Sequence, residues 1–171
     1  MNVHVTNLQF AIFFKGIVDR PDLEFSKLND QLLNLFDTIP LTNPVPRELP
    51  NDIPIVTLRS EDEKYSCNIA RSRIDLYFNA RDKELSNTDI LKDFNLKVKA
   101  FSEYVISEQD ITRFGMVCTY FIEDNTATHT LKKKYFSGAI NDPEELSLRF
   151  NNIAKCENIE LNDIVDISKK T

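Results

Sequence analysis

The spacing of apolar residues alternates along this chain between a repeat of two and a repeat of three to four. A repeat of two places apolar side chains on one face of a strand, and the longer repeat places them on one face of a helix. Strand-like repeats cover residues 3–15, 53–59, 65–79 and 111–123, and helix-like repeats cover residues 25–39 and 90–105. The sequence therefore predicts the element order β-α-β-β-α-β.

This order is typical of an α+β fold in which a mostly antiparallel sheet carries its helices on one face. The pattern continues more weakly with a short helix over residues 128–136, a helix that begins at Asp142-Pro143-Glu144-Glu145, and a strand over residues 159–167. Asp followed by Pro and Glu is a frequent helix start. We therefore expect a C-terminal helix and strand extension within one α+β domain over residues 1–171, a length that suits a single domain.

Two of the predicted strands depart from simple alternation. Ala11 and Phe13 make the second face of the first strand apolar, which is typical of an inner strand. Within residues 65–79, Cys67 and Ile69 have one parity and Ile74 has the other. This slip predicts a bulge or a sharp bend near residues 70–73 in one long strand, paired as a hairpin with the strand before it.

The segment from Pro40 to Pro54 holds five of the seven prolines in the chain. Proline fixes φ and removes a backbone donor, so an extended connector without regular pairing is expected between the first helix and the sheet. An exposed polyproline ligand for a partner domain is the alternative. Leu41, Val45, Leu49 and Ile53 alternate with the prolines and favour a connector that contacts its own domain.

The charge and the cysteines indicate the compartment and the partners. The net charge of −6 opposes non-specific binding to nucleic acid or to an anionic membrane. Three widely spaced cysteines, Cys67, Cys118 and Cys156, indicate free thiols in a reducing compartment. No apolar run approaches the roughly 20 residues that cross a bilayer. We therefore expect a cytoplasmic protein that does not bind membranes and for which nucleic acid is a disfavoured partner.

The sequence lacks the motifs of common enzyme classes. Three isolated glycines (Gly16, Gly115 and Gly138) cannot form a phosphate-binding loop or a nucleophile elbow. His4 and His129 each stand alone, so no His/Cys metal site is expected. These observations predict neither a cofactor nor a metal, and they favour a non-enzymatic role.

Cys118 is the one candidate nucleophile, with His129 as its conceivable base. It has the strand parity of Phe114, Met116 and Tyr120, and this pattern predicts that it points into the core. A buried cysteine behaves as a small hydrophobic residue. The sequence thus favours a structural role for Cys118.

Two basic clusters remain as candidate binding sites. Arg71, Arg73 and Asp75 share a face if their strand is regular, and Arg113 lies at a similar level on a later strand. Arginines in this arrangement bind phosphate or carboxylate bidentately, or they form a structural ion-pair network with Asp75.

The second cluster is Lys132-Lys133-Lys134, followed by Tyr135 and Phe136. Lysines beside aromatic residues are typical of single-stranded nucleic-acid platforms. A solvated helix face is the alternative, and the acidic net charge favours it.

Two segments carry a resemblance to a known family, Pro46-Arg47-Glu48-Leu49-Pro50-Asn51-Asp52-Ile53-Pro54 and Ile111-Thr112-Arg113-Phe114-Gly115-Met116. They resemble an uncharacterised, sporadically distributed family of bacterial proteins, in which a proline-rich segment leads into a hairpin and an R-[FI]-G-[LM] element opens a later strand. The resemblance covers residues 3–123 in element order. It implies an α+β sheet, a bacterial or phage-linked source, and longer relatives whose second half this chain lacks. It implies no catalytic residue.

Three hypotheses for the function follow. The first is a non-enzymatic protein-binding or assembly module that acts through a sheet edge or a helix face and forms a homodimer. The second is an enzyme or ligand-binding protein that recognises an anionic group through Arg71, Arg73, Asp75 and Arg113. The third is a nucleic-acid or nucleoprotein binder that uses Lys132, Lys133 and Lys134.

Overall fold

The structure is a computed structural model that describes residues 3–80, 85–136, 141, 143–157 and 159–168. The described residues divide by their contacts into two compact units. The N-terminal unit ends at Ile122 and the C-terminal unit begins at Glu123. A single domain over residues 1–171 stays a prediction.

The N-terminal unit is built around a six-stranded sheet. Its elements are β1 (Val3–Phe14), α1 (Pro21–Glu24), α2 (Leu28–Gln31), β2 (Leu41–Thr42), β3 (Val56–Arg59), β4 (Tyr65–Ile69), β5 (Arg73–Asn79), α3 (Asn87–Glu108) and β6 (Ile111–Ile122). The strand order is β2-β3-β4-β5-β1-β6, and all neighbours are antiparallel. The predicted α+β class with a mostly antiparallel sheet is confirmed, and β1 is an inner strand as its two apolar faces indicate.

The core lies between one face of this sheet and α3. Ser86 caps the helix by accepting a hydrogen bond from the backbone N–H of Asp89 at its Oγ (3.2 Å). Ile90, Phe94, Phe101 and Val105 follow at helical spacing and are all buried. They cover the faces of β1 and β5 that carry the buried residues Leu8, Ile12, Ile74, Leu76 and Phe78. Burial of this apolar surface is the main stabilising contribution to the unit.

The predicted helix over residues 25–39 is wrong in its length. Helical structure stops at Gln31, and Leu33 and Asn34 have φ of 57° and 58°, in the left-handed region. The side chain of Asn29 donates to the carbonyl of Phe36 (2.8 Å) and accepts from its N–H (2.9 Å). Such side-chain bonds offer the backbone an alternative to the helix. Phe25, Leu28, Leu32 and Phe36 are still buried, as the apolar stripe predicts.

The single long strand predicted over residues 65–79 is also wrong, and of the two causes expected for the parity slip near residues 70–73, a bulge or a sharp bend, the structure has the bend. The chain makes a tight turn there, closed by the N–H of Ala70 donating to the carbonyl of Arg73 (2.9 Å), and β4 and β5 pair with each other. Ile69 lies directly opposite Ile74, so both point into the core although their numbers differ in parity. The predicted hairpin between residues 53–59 and 65–79 is confirmed as the β3–β4 pair.

The C-terminal unit contains α4 (Ala127–Tyr135) and a hairpin of β7 (Ser147–Cys156) and β8 (Ile159–Ser168). The short helix and the final strand are confirmed. The helix predicted to begin at Asp142 is wrong, because residues 147–156 form a strand, while Asp142 itself and Gly138 lie outside the described residues. Leu148 and Phe150 lie opposite Ile167 and Val165, and these apolar cross-strand pairs favour the hairpin.

Candidate functional site

The sheet face that points away from α3 carries the predicted arginines Arg73 and Arg113. Phe13 lies directly between them, since it pairs with Arg73 across β1–β5 and with Arg113 across β1–β6. The guanidinium carbons lie 4.7 Å (Arg73) and 4.1 Å (Arg113) from the centroid of the Phe13 ring. Both are within the range of a cation–π contact. The sequence did not single out Phe13, although its place on the second apolar face of β1 was the available signal.

Arg73 is bound to Asp75 on the same strand. The carboxylate accepts from Nε of Arg73 at 2.8 Å and from a second guanidinium nitrogen, and it accepts from Nε2 of Gln9 at 2.9 Å. Asp75 is only 4% exposed. The hydrogen bonds to Asp75 raise the pKa of Arg73, because they favour the charged guanidinium. This geometry is that of a structural ion pair, because two of the three guanidinium nitrogens of Arg73 are bound to Asp75, which is itself buried.

Arg71 takes a different direction from Arg73 and Asp75. It is buried in the turn between β4 and β5, and its two terminal nitrogens donate to the backbone carbonyls of Val45 (2.9 Å) and Pro46 (3.3 Å). It therefore ties the proline connector to the sheet. The connector also contains β2, which pairs with β3, so the prediction that this segment lacks regular pairing is wrong for residues 41–42.

We expect Arg71→Met to loosen the proline connector. A charged donor to backbone carbonyls contributes about 1.5–3 kcal/mol, so the free energy of unfolding should fall by about 2 kcal/mol. Thermolysin should then cleave near Leu41 or Leu49 several times faster than in the wild type. Arg47→Met is the matched control, because exposed Arg47 in the same connector makes only a surface ion pair with Asp19 (3.5 Å). Equal cleavage rates in both variants would contradict the anchoring role.

Lys132, Lys133 and Lys134 occupy the last turn of α4 in the C-terminal unit. Cations are favoured at this end of a helix because the macrodipole is negative there. Nζ of Lys134 lies 5.3 Å from the ring centroid of Tyr135. Within the described residues, the position of the cluster at a helix terminus accounts for it.

A cavity of about 400 Å³ opens between α3 and the end of the sheet at β4. On its wall, the hydroxyl of Tyr65 donates to Asp93 (2.5 Å), and Asp93 also pairs with Lys97. Burial, together with Asp93, raises the pKa of Tyr65. Burial alone would raise the pKa of Asp93, but its bonds to Lys97 and Tyr65 lower it. Tyr65, Asp93 and Lys97 therefore form one hydrogen-bonded group on the wall of this cavity.

The edge strand β6 carries the feature that sequence reasoning missed. It ends the sheet, and α3 covers β1 and β5 rather than β6. Phe114 is 49% exposed, Met116 51% and Tyr120 53%, with Val117, Phe121 and Ile122 also open to solvent. Cys118 is exposed too, so its predicted place in the core is wrong, and partial burial raises the pKa of its thiol. Parity correctly assigned Phe114, Met116, Cys118 and Tyr120 to one face, but α3 does not cover that face.

The backbone of β6 is equally open on its outer side. Phe14 donates from its N–H to the carbonyl of Ser72 (3.0 Å), and Ala80 donates likewise to Thr6 (2.8 Å), so even-numbered residues of β1 bond towards β5. Antiparallel ladders alternate, so the odd-numbered residues of β1 bond to β6. Their partners in β6 are also odd, as in the pairs Ala11–Gly115 and Gln9–Val117. From Phe114 to Ile122 the even-numbered residues of β6 therefore point their N–H and C=O groups outward, where the described residues place no further strand. The pairing shifts before Phe114, since Phe13 lies opposite Arg113 and Phe14 lies opposite Ile111.

Within the described residues, no group of three or more His, Cys, Asp or Glu side chains is arranged to hold a metal ion. No described helix combines the length and the apolar composition needed to cross a bilayer.

Comparison with protein-family models, curated proteins and solved structures returned no match to this chain. The resemblance to a bacterial family stays a prediction.

Proposed function

We propose that this protein is a non-enzymatic binding or assembly module that pairs with another protein chain along the outer edge of β6, with a second copy as the simplest partner. The observation that carries the proposal is β6 itself, twelve residues long, with exposed apolar side chains and outward-facing backbone groups. Proteins usually protect such an edge with lysine, proline or an inward-pointing charge. β6 has no proline, and Arg113 is its only charged residue.

Strand addition suits this edge because it satisfies both kinds of exposed group. A partner strand pairs with the backbone of the even-numbered residues, and its side chains cover the apolar ones. On soluble proteins, a contiguous patch of exposed apolar side chains such as the one on β6 marks an interaction site. The same reasoning disfavours a free monomer, since an exposed apolar edge is an aggregation hazard.

The anionic-ligand alternative has less support. Arg71 binds the connector and Arg73 binds Asp75, so the arginines do not converge with their donors on one open site. The nucleic-acid alternative has no support beyond three lysines at a helix terminus. We further propose a cytoplasmic location, supported by the free thiols of Cys67 and Cys118, and a bacterial or phage source, supported only by the resemblance.

The proposal predicts a dimer that Met116→Pro disrupts. Proline at an outward-facing position of an edge strand removes an N–H from the open edge and leaves the bonds to β1 intact. We expect sedimentation equilibrium to show a dimer for the wild type and at least a tenfold higher dissociation constant for Met116→Pro, with a similar melting temperature.

Leu96→Lys is the matched control, because Leu96 is an exposed apolar residue on the outer side of α3. It should leave the dissociation constant unchanged. A wild-type chain that stays monomeric at high micromolar concentration and binds no protein, or a Met116→Pro dimer as tight as the wild type, would overturn the proposal.

A further inference from the structure

We infer that β6 pairs with β6 of a second copy in one antiparallel register, in which Val117 of each copy lies opposite Val117 of the other. This inference rests on the proposed function and specifies its geometry. It follows from three constraints: the faces of the sheet, the length of the strand, and the side chains that each register brings together.

The first constraint comes from the faces of the sheet. An antiparallel pair related by a two-fold axis has that axis perpendicular to the sheet, so both copies of α3 lie on the same side. Odd-numbered residues of β6 must then face odd-numbered residues, and even must face even, because each set occupies one face. Each register therefore has one central residue, which lies on the two-fold axis opposite the same residue of the second copy. If the centre moves by one residue along β6, every other residue changes its partner by two positions.

The second constraint is the length of β6. With Ile111–Ile122 as the strand, registers centred on Met116 or Val117 pair eleven residues, whereas those centred on Gly115 or Cys118 pair nine. Longer pairing satisfies more of the outward backbone groups. The choice is therefore between Met116 and Val117 as the central residue.

The side chains on the sheet face that points away from α3 favour the register centred on Val117. In that register Arg113 lies opposite Phe121 of the second copy, whose ring already stacks on His4 at 5.0 Å. Arg113, which already contacts Phe13, then also contacts Phe121 of the second copy, and Phe121 in turn stacks on His4. The two-fold axis produces this arrangement twice in each dimer. The odd residues form the non-hydrogen-bonded pairs, which bring side chains closer and favour a cation–π contact. The Met116 register places Arg113 opposite Thr119 and gives no such contact.

The side chains on the sheet face towards α3 favour the same register. In the Val117 register Phe114 lies opposite Tyr120 of the second copy, which extends the Phe10–Phe114 ring contact of 6.1 Å across the interface. Aromatic cross-strand pairs are among the more stabilising combinations. In the Met116 register Phe114 meets Cys118 instead, and Tyr120 meets Thr112.

The area of the patch is adequate for a specific dimer. An aromatic side chain presents on the order of 200 Å². Phe114, Tyr120 and Phe121 are 49%, 53% and 40% exposed. With the aliphatic residues of β6, the exposed apolar side chains of two copies present about 1,000 Å² in total, which sets the upper limit of what the pairing can bury and equals the lower limit expected of a specific interface.

Disulfide trapping tests the register directly. In a Cys118→Ser/Cys156→Ser background, Val117→Cys should cross-link under mild oxidation at least ten times faster than Met116→Cys. The Cα atoms of a non-hydrogen-bonded pair lie about 4.5 Å apart, within the range of disulfides. The Cys156→Ser variant that keeps Cys118 should also cross-link slowly. Faster cross-linking through position 116 or 118 overturns the inferred register but leaves a β6 dimer, and hence the proposed function, standing.

A charge exchange provides the second readout. Val117→Lys and Val117→Asp each place two like charges face to face, and each should raise the dissociation constant at least tenfold. An equimolar mixture should recover dimers, because Lys then faces Asp. Two variants that dimerise as the wild type does would overturn the register. A wild-type chain that is monomeric in the same measurement defeats the proposed function itself.

Discussion

Phe101→Ala lowers the free energy of unfolding by about 4 kcal/mol, the largest effect that we expect from any single substitution. Phe101 is fully buried at the centre of α3 and meets the ring of Phe10 edge-on, with centroids 6.3 Å apart. Removing a buried phenyl ring costs the transfer free energy of the ring and leaves a cavity, together about 3–5 kcal/mol. Urea denaturation followed by circular dichroism measures the change.

Leu96→Ala is the control for Phe101→Ala, on the same helix. Leu96 is exposed, so its truncation should change the unfolding free energy by no more than about 0.5 kcal/mol. The contrast isolates burial, because both substitutions remove a large apolar side chain from a helical position. If Phe101→Ala lowers the free energy of unfolding by less than about 1 kcal/mol, α3 does not cover the sheet in the way that the structure shows.

The fold class was predictable because it depends on periodicity, which is a local property. The stripe of α3 and the alternation of β6 each repeat over many residues, so the element type is strongly specified. The helix over residues 25–39 was mispredicted because one side chain, Asn29, caps the backbone at Phe36 and Leu33 adopts a positive φ. Neither feature changes the spacing of the apolar residues, so the apolar pattern could not predict it.

The candidate site was less predictable than the fold. The shared face of Arg73 and Asp75 followed from alternation. The different direction of Arg71 depends on a tight turn between two strands, where the parity slip predicted a bulge or a sharp bend within one strand. The exposure of β6 could not follow from parity at all. Alternation states which side chains share a face, whereas the covering of that face depends on where α3 lies, which is a tertiary property.

Asp75→Ala is the second substitution with a large expected effect, a loss of about 3 kcal/mol. Asp75 is buried and accepts hydrogen bonds from Arg73 and Gln9, so its removal leaves the Arg73 guanidinium without its carboxylate. Breaking an ion pair from one side is costly because it leaves an unpaired charge, and the Arg73 side chain is only 24% exposed to the water that could compensate for the loss. Chemical denaturation of the variant gives the value directly.

The double variant Arg73→Met/Asp75→Ala separates a structural ion pair from a ligand site. If the cost of Asp75→Ala comes from stranding a charge, removing Arg73 as well should recover at least about 1 kcal/mol, because no unpaired group remains. A ligand site predicts the opposite, since active-site charges are held at some expense to stability and Asp75→Ala would then be neutral or stabilising. Strict additivity of the two substitutions would show that Arg73 and Asp75 do not act as a pair. Recovery in the double variant would leave Arg113, beside the open edge of β6, as the arginine available to a partner.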